Sequence, residues 1–468
     1  MPTLTATSST PFILTKAIEQ TMTQTFNLII RNGTLMTPGG RLETDIGVRD
    51  GKIASIENLS GSDADEVIDA KGLHVLPGAI DTQVHFREPG GEHKEDLESG
   101  TRAAIMGGIT GVFEMPNTNP LTTTRQALAD KITRAKGRAW CNHAFYMGGT
   151  ADNAADMADL ERAPGCCGVK VFMGSSTGNL LVEDDESLRA VLSHGVRRVA
   201  VHAEDEPRLI ERKKVAEESG DVHSHPDWRD AETAIRATRR LINIVRETGR
   251  KAHLLHVSTA DEMHLIADHK DLISVEATPQ HLTLSAPDCY DRLGPFAQMN
   301  PPIRDEQHRQ GLWWGLQQGV VDIIGSDHAP HSAEEKQQPY PKSPSGMPGV
   351  QTLMPVMLNH VAQGRLTLEH LVDLVASSPA RLFGIVGKGR VAVGYDADFT
   401  LVDLQHKREI TDDWIESKCG WTPFNGETIT GWPMATILVG NTVMRDGELL
   451  GTANGQPMRF FEAENPQG

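Results

Sequence analysis

The stretch LHVLPGAIDTQVHF, residues 73–86, is an apolar run that closes on polar side chains, and it sets the pattern for most of the chain. Seven further runs repeat it: TGVFEMPN (110–117), CNHAFYMGG (141–149), CGVKVFMG (167–174), VRRVAVHAED (196–205), KAHLLHVS (251–258), LISVEATP (272–279) and VDIIGSDHAP (321–330). Between them, segments 98–106, 123–135, 207–217, 230–248 and 307–318 have the charge mix and spacing of crossover helices. Eight strands alternating with helices predict a parallel (β/α)8 TIM barrel, an α/β fold. A doubly wound open sheet alternates in the same way. It would, however, carry a Gly-rich phosphate turn after its first strand, which is missing here, and it gives no reason for polar residues to recur at strand ends.

In a barrel the C-terminal strand ends converge on one face and form the active site. Here those ends supply Gln83 and His85, Asn117, Lys170, His202, His256, Thr278, and Asp327 with His328. One histidine alone would be read as a packed core residue. Three separated histidines with a lysine and an aspartate read as a metal site, because imidazole and carboxylate oxygen are good zinc ligands and a catalytic site leaves a position for water with a pKa near about 7. Lys170 is the unusual member, since a buried ammonium beside a divalent metal costs several kcal/mol. Addition of carbon dioxide to its amine would make a carbamate (N6-carboxylysine), turning a repelled cation into a bridging ligand. The alternative is a lysine that snorkels to solvent or pairs with Asp327.

Outside the barrel pattern both ends of the chain are β-like. FNLIIRNGTLM predicts a hairpin at Asn32-Gly33 and IGVRDGKIASI one at Asp50-Gly51, and ATILVGNTVMRDGELLG predicts turns at Gly440-Asn441 and Asp446-Gly447. Arg-Asp-Gly recurs at 49–51 and 445–447, so the two ends are expected to build one β module. Residues 1–24, rich in Ser and Thr, lack the basic start and apolar stretch of an export signal and read as a disordered tail, with Met22 an alternative start.

Composition narrows the partner. The 468 residues carry 45 Lys+Arg against 63 Asp+Glu, a formal net charge of −18, with no Lys/Arg run longer than Arg197-Arg198 or Lys213-Lys214. Such a surface repels nucleic acid and anionic membranes, and the expected partner is a small molecule. No segment approaches the about 18 apolar residues of a membrane span. Five cysteines without a C-x-x-C pair suggest neither disulfides nor structural zinc, and a reducing cytoplasm is the expected home.

PGAIDTQVHFREPG, MPNT, GVKVFMGSSTG, VHAEDE, LLHVST, MNPPIR, SDHAPH with the following EEK, and SPARLFGI together resemble the dihydroorotases of the cyclic amidohydrolase family over nearly all of 26–460. The resemblance implies the barrel at 77–385 and a composite β-sandwich from 25–76 and 386–460. It implies that His85, carboxylated Lys170, His202, His256 and Asp327 hold one or two zinc ions. Arg87, Asn117 and His331 would grip a ring carboxylate, and Asn300 would face the ring. The activity implied is the reversible, metal-assisted hydrolysis of dihydroorotate to N-carbamoyl-L-aspartate, a step of pyrimidine biosynthesis, with Asp327 moving the proton. A homo-oligomer, dimer or tetramer, is implied as well. The charge reading agrees, since a chain of net charge −18 needs a local cation such as Arg87 to hold an anionic substrate.

The family pattern breaks at Gln83-Val84-His85, where relatives carry His-x-His. An amide oxygen is a poor zinc ligand beside imidazole, so the site is expected to hold two metals with a weakened first position, to run on one, or to have lost catalysis. Gln280 stands before His281 where relatives often have a second histidine, and His281 is given no metal role. Two other readings stay open: an amidohydrolase of hydantoins, dihydropyrimidines or allantoin, whose rings give Arg87 no carboxylate, and a non-catalytic scaffold for a partner such as aspartate transcarbamoylase. The polar segments 175–185 and 331–350 stand where active-site lids often sit. Segment 416–426, with Cys419 and Trp421, is assigned to packing in the sandwich.

Overall fold

A computed structural model describes residues 25–175 and 180–461; the expected tail at 1–24 and the centre of the loop at 175–185 lie outside the described residues. The eight apolar runs become eight parallel strands, Ala79–Val84, Ile109–Glu114, Asn142–Gly148, Cys166–Phe172, Val199–His202, Ala252–Leu254, Ile273–Ala277 and Ile323–Ile324, paired in chain order. All of their residues are buried, as expected for a sheet covered on both faces. The first and eighth strands meet through a parallel bridge between Val84 and His328, with the His85 N–H donating to the His328 carbonyl at 2.7 Å. Asp81 secures the same seam, one carboxylate oxygen accepting from the backbone N–H of Ser326 at 3.0 Å and of Gln83 at 3.1 Å.

The predicted crossovers are helices at Leu97–Met106, Arg125–Ala135, Glu206–Ser219, Ala231–Thr248 and Glu306–Gln317. Each starts where a side chain can satisfy an orphan backbone donor: Asp96, Thr124, Asp205, Asp230 and Asp305 all accept from the N–H three residues on.

Both chain ends join one nine-stranded sheet. The seam is the antiparallel pairing of His74–Pro77 with Phe399–Glu409, where Leu76 faces Thr400. Leu28, Ile30, Val48, Val75, Phe399, Leu401 and Ile437 form its buried core. Near the opposite end of the chain, Met458 and Phe460 pack with Phe113, Tyr146 and Phe383, while Pro457 bridges to His143 at the start of the third barrel strand.

Two expected turns fall elsewhere. Asn32-Gly33 is a bulge inside the strand Phe26–Thr37, and the chain turns at Pro38-Gly39. Asn32 takes φ 60° with its N–H on Asp45, and a Cβ at Gly33 would lie 2.8 Å from Val75. The pair that would suit a type I′ turn instead lets the neighbouring strand approach closely. The second turn is at Val439-Gly440, one residue early, because the Val439 N–H is held by Asp398 at 2.7 Å. Asp50-Gly51 and Asp446-Gly447 turn where expected.

Candidate active site

Backbone strain marks the site. Among the described residues seven that are not glycine have positive φ; Asn32, Asp50, Val439 and Asp446 lie in turns or the bulge, and the other three are Arg87 (63°), His256 (36°) and Asp327 (45°). Such conformations cost of order 1–3 kcal/mol each and persist where the surroundings impose them, characteristically at functional sites. All three stand just beyond barrel strands.

The strand-end ligands form two pairs around Lys170. On one side, His202 Nδ1 and His256 Nε2 are 3.1 Å apart. The other nitrogen of His202, Nε2, lies 2.9 Å from the buried Glu204 carboxylate, which fixes the proton there and leaves Nδ1 a lone pair. Against the cost of burial, Arg229 and His202 hold Glu204 well below the usual carboxylate range, so it stays ionised. His256 Nδ1 is buried with no hydrogen-bond partner. If Nε2 of His256 carries the proton, Nδ1 is an unsatisfied acceptor; if Nδ1 carries it, two lone pairs meet at 3.1 Å. Two nitrogens each about 2.1 Å from a shared ion stand roughly 3–3.5 Å apart, so a divalent cation fits this pair.

On the other side, His85 Nδ1 bonds Asn117 Oδ1 at 2.9 Å, and Nε2 faces Asp327 Oδ1 at 3.3 Å. Burial lowers the His85 pKa to about 4, so it is a neutral imidazole with a lone pair toward Asp327. The Gln83 amide donates to the same Asp327 oxygen at 2.9 Å.

Lys170 is fully buried, and its Nζ has no hydrogen-bond partner and lies 4.3 Å from the Phe172 ring centre. Burial lowers its pKa to about 7, opposed by Asp327 and Glu276. Its charge, where present, disfavours protonation of His85, His202 and His256. Among the described residues no three His, Cys, Asp or Glu side chains form a ready metal cluster.

The residues expected to bind a carboxylate lie on the His85/Asp327 side, where Arg87 acts on both side chains. Arg87 Nε donates to the Pro330 carbonyl at 3.3 Å, and the residue makes no ion pair among the described residues. Burial lowers its pKa to about 10, which leaves it charged at neutral pH. His331 is placed differently from a gripping residue. Lys94 Nζ, a donor only, lies 3.1 Å from its Nδ1, and its Nε2 is 3.0 Å from the Ser345 carbonyl. Both nitrogens are thus used inside the protein: Nδ1 accepts, Nε2 donates, and the 3.4 Å approach of Arg87 Nη2 to Nε2 is not a bond. Burial, with Arg87 and Lys94, keeps the ring neutral. Lys94 Nζ also pairs with Glu335 Oε1 at 3.0 Å, so His331 and Glu335 together hold it. Asn300 is buried with Oδ1 3.1 Å from His225 Nε2. His281 spans Thr278 and the Pro301 carbonyl, and His328 lies between Glu95 and the Gly349 N–H.

Three contributors were not singled out from the sequence. Lys94 sits in GGEHKED, seven residues beyond Arg87, where its charge was the available signal. Glu204, two residues past His202 in VHAEDE, fixes a ligand tautomer. Lys336, in the EEK that follows SDHAPH, is fully buried and donates to the carbonyls of Gln298 (3.1 Å), Pro344 (2.9 Å) and Gly346 (3.1 Å), stapling segment 331–350 as packed structure. Segment 416–426 also lies elsewhere than expected. Trp421 does pack, against Phe296 at 4.8 Å between ring centres, but its Nε1 donates to the His331 carbonyl at 2.9 Å, so it braces the active-site loop. All five cysteines are buried thiols.

Glu204→Gln is expected to weaken metal retention by about 10–100-fold, the usual effect of losing an outer partner of a histidine ligand. It should also cost about 3–5 kcal/mol in stability by leaving Arg229 buried and unpaired. Equilibrium dialysis against a chelator and thermal melts measure the two effects separately.

A barrel that gathers three imidazoles, a buried lysine and a carboxylate at its strand ends, beside a guanidinium with no carboxylate in contact, has the make-up of a hydrolase working on an anionic or polarised carbonyl substrate. The comparisons are specific. Residues 74–443 match the amidohydrolase family. The chain is 36% identical over 411 residues to a dihydroorotase of Methanosarcina mazei, covering 85% of this chain and 90% of that one, and 36% identical over 434 residues to a dihydroorotase of Halobacterium salinarum, covering 90% and 100%. Among solved structures, the L-hydantoinase (dihydropyrimidinase) of Arthrobacter aurescens aligns with a TM-score of 0.87 at 32% identity, over 91% of this chain and 98% of that one. A dihydropyrimidinase of Brevibacillus agri gives 0.86 at 29%, over 94% and 99%. The chain belongs to the amidohydrolase family, and it is a hydrolase of cyclic amides. Membership implies a metal cofactor.

Proposed function

We propose that this protein catalyses the reversible hydrolysis of dihydroorotate to N-carbamoyl-L-aspartate. The observation that carries the reading is Arg87, a charged guanidinium at the catalytic face that has no carboxylate partner of its own among the described residues. A half-buried guanidinium at a catalytic face with no carboxylate in contact favours a substrate that brings one. Dihydroorotate brings a ring carboxylate; hydantoins and dihydropyrimidines do not. The sequence relatives reported above are dihydroorotases, which points the same way.

His202, His256, His85, Asp327 and a carboxylated Lys170 would hold the metal, and the imidazole-rich donor set favours zinc. When bound, it would lower the pKa of a water molecule toward about 7 and polarise the ring carbonyl. The chain supplies the rest. Arg87 binds the carboxylate, with Asn117 holding the His85 ring. Asp327 takes the proton from the attacking water and delivers it to the departing ring nitrogen, its carboxylate steadied by the Gln83 amide. Ring closure runs the same path in reverse. The buried thiols support a reducing, cytoplasmic setting, and family likeness supports a homo-oligomer built on the barrel of 77–385 with the module of 25–76 and 386–460.

The test is Arg87→Met. Loss of a charge-assisted, two-pronged contact should cost about 2–4 kcal/mol, or about 30- to 1000-fold in kcat/KM for dihydroorotate, and leave turnover of an uncharged hydantoin unchanged. A wild-type protein that prefers the hydantoin would instead support the hydantoinase reading, to which the aligned structures lend their fold.

A further inference from the structure

The two imidazole pairs are not equivalent. His202 and His256 present two nitrogens to each other, backed by Glu204 and Arg229, and His256 Nδ1 is buried without a hydrogen-bond partner. At the other pair, Gln83 occupies the position of a ligand without acting as one. Its side chain is buried, its Nε2 donates to Asp327 Oδ1 at 2.9 Å, and its Oε1 has no partner. The reverse orientation of the amide would set Oε1 against a carboxylate oxygen, so the donor end faces Asp327. The hydrogen bond withdraws charge from the same oxygen that faces His85 Nε2 at 3.3 Å. That side therefore lacks one imidazole, and it has one carboxylate oxygen partly committed to an amide.

We propose that Gln83 makes the metal site unequal, with one tightly held divalent ion on the His202/His256 side and a second, readily exchanged position on the His85/Asp327 side. In the one-ion state Gln83 is a positioning residue, its N–H holding Asp327 in the orientation that the second ion would otherwise impose. The inference rests on the metal-hydrolase reading above. Losing an outer partner of a ligand weakens metal binding about 10- to 100-fold, and losing a direct ligand costs more, so the two positions should differ by at least about 100-fold in Kd.

The experiment is a calorimetric titration of metal-free full-length protein with Zn2+ in bicarbonate buffer, with metal content measured after gel filtration. The expected result for the natural protein is one ion retained per chain and a second, weaker binding step. Gln83→His should retain two, and Gln83→Ala should keep one, because the His202/His256 side does not use residue 83. Two ions retained by the natural protein, none retained, or loss of the tight ion in Gln83→Ala would each overturn the proposal. Should Gln83→His fail to fold, the natural protein and Gln83→Ala still decide it. Dihydroorotate turnover on the same samples keeps the two readings apart, since one tight ion without turnover would refute the proposed function and leave the unequal site standing.

Discussion

Lys170→Ala is expected to lower kcat/KM for dihydroorotate by about 1000-fold or more. The several kcal/mol of transition-state stabilisation that a metal provides depends on the ligand completing its set, and each 1.36 kcal/mol is a factor of ten. Addition of acetate or propionate should restore part of the activity, because a small carboxylate can enter the space of the truncated side chain and stand in for the carbamate. The pH dependence gives an independent check. Only the neutral amine adds carbon dioxide, and burial brings the Lys170 pKa down to about 7 in the metal-free protein. A lowered pKa means the neutral form dominates from about pH 8 upward, where an ordinary lysine would still be an ammonium. At a fixed concentration of dissolved carbon dioxide, the rate of carboxylation, followed by reactivation with metal, should therefore be level above about pH 8. Below about pH 6 it should fall about tenfold per unit. A rate still climbing steeply through pH 9 would show that the amine is not neutralised by burial.

Asp327→Asn is expected to reduce kcat by about 100- to 10,000-fold, the range for removing a positioned general acid–base group. KM should change little, since the proposed carboxylate contact is made by Arg87. An asparagine tolerates the φ of 45° at this position better than most residues, so loss of folding should not mask the result. Hydrolysis and ring closure must fall by the same factor in kcat/KM, because the overall equilibrium is untouched. Steady-state assays in both directions check this. A variant that keeps near-natural kcat in both directions would indicate that some other group moves the proton.

How far the site could be read in advance differs from residue to residue. His85, Lys170, His202, His256 and Asp327 were legible because a barrel strand is a short apolar run, and a polar residue at its end stands out against it. Gln83 was legible as a departure, though not its hydrogen bond to Asp327. His331 was legible as a member of the cluster, but its role was not: whether an imidazole faces a ligand or is used up by Lys94 and the Ser345 carbonyl depends on two residues at distant positions in the chain. Lys94 itself was missed because nothing local distinguishes it from a surface lysine. The same limit explains the misplaced turn at Asn32-Gly33, where local preference for a hairpin yields to the approach of Val75.

The sequence by itself determined the barrel, the sheet shared by both chain ends and the chemical type of the strand-end residues. Each of these follows from local patterns, namely apolar runs, helix starts and the residue types that close each strand. The fold in three dimensions sets which nitrogen of His202 and His85 is free, that His202 meets His256 while His85 meets Asp327, and that Arg87 contacts no carboxylate among the described residues. Those properties depend on distances of a few ångströms between residues far apart in the chain, and on burial that sets their charge, and both arise only when the strands close into a barrel.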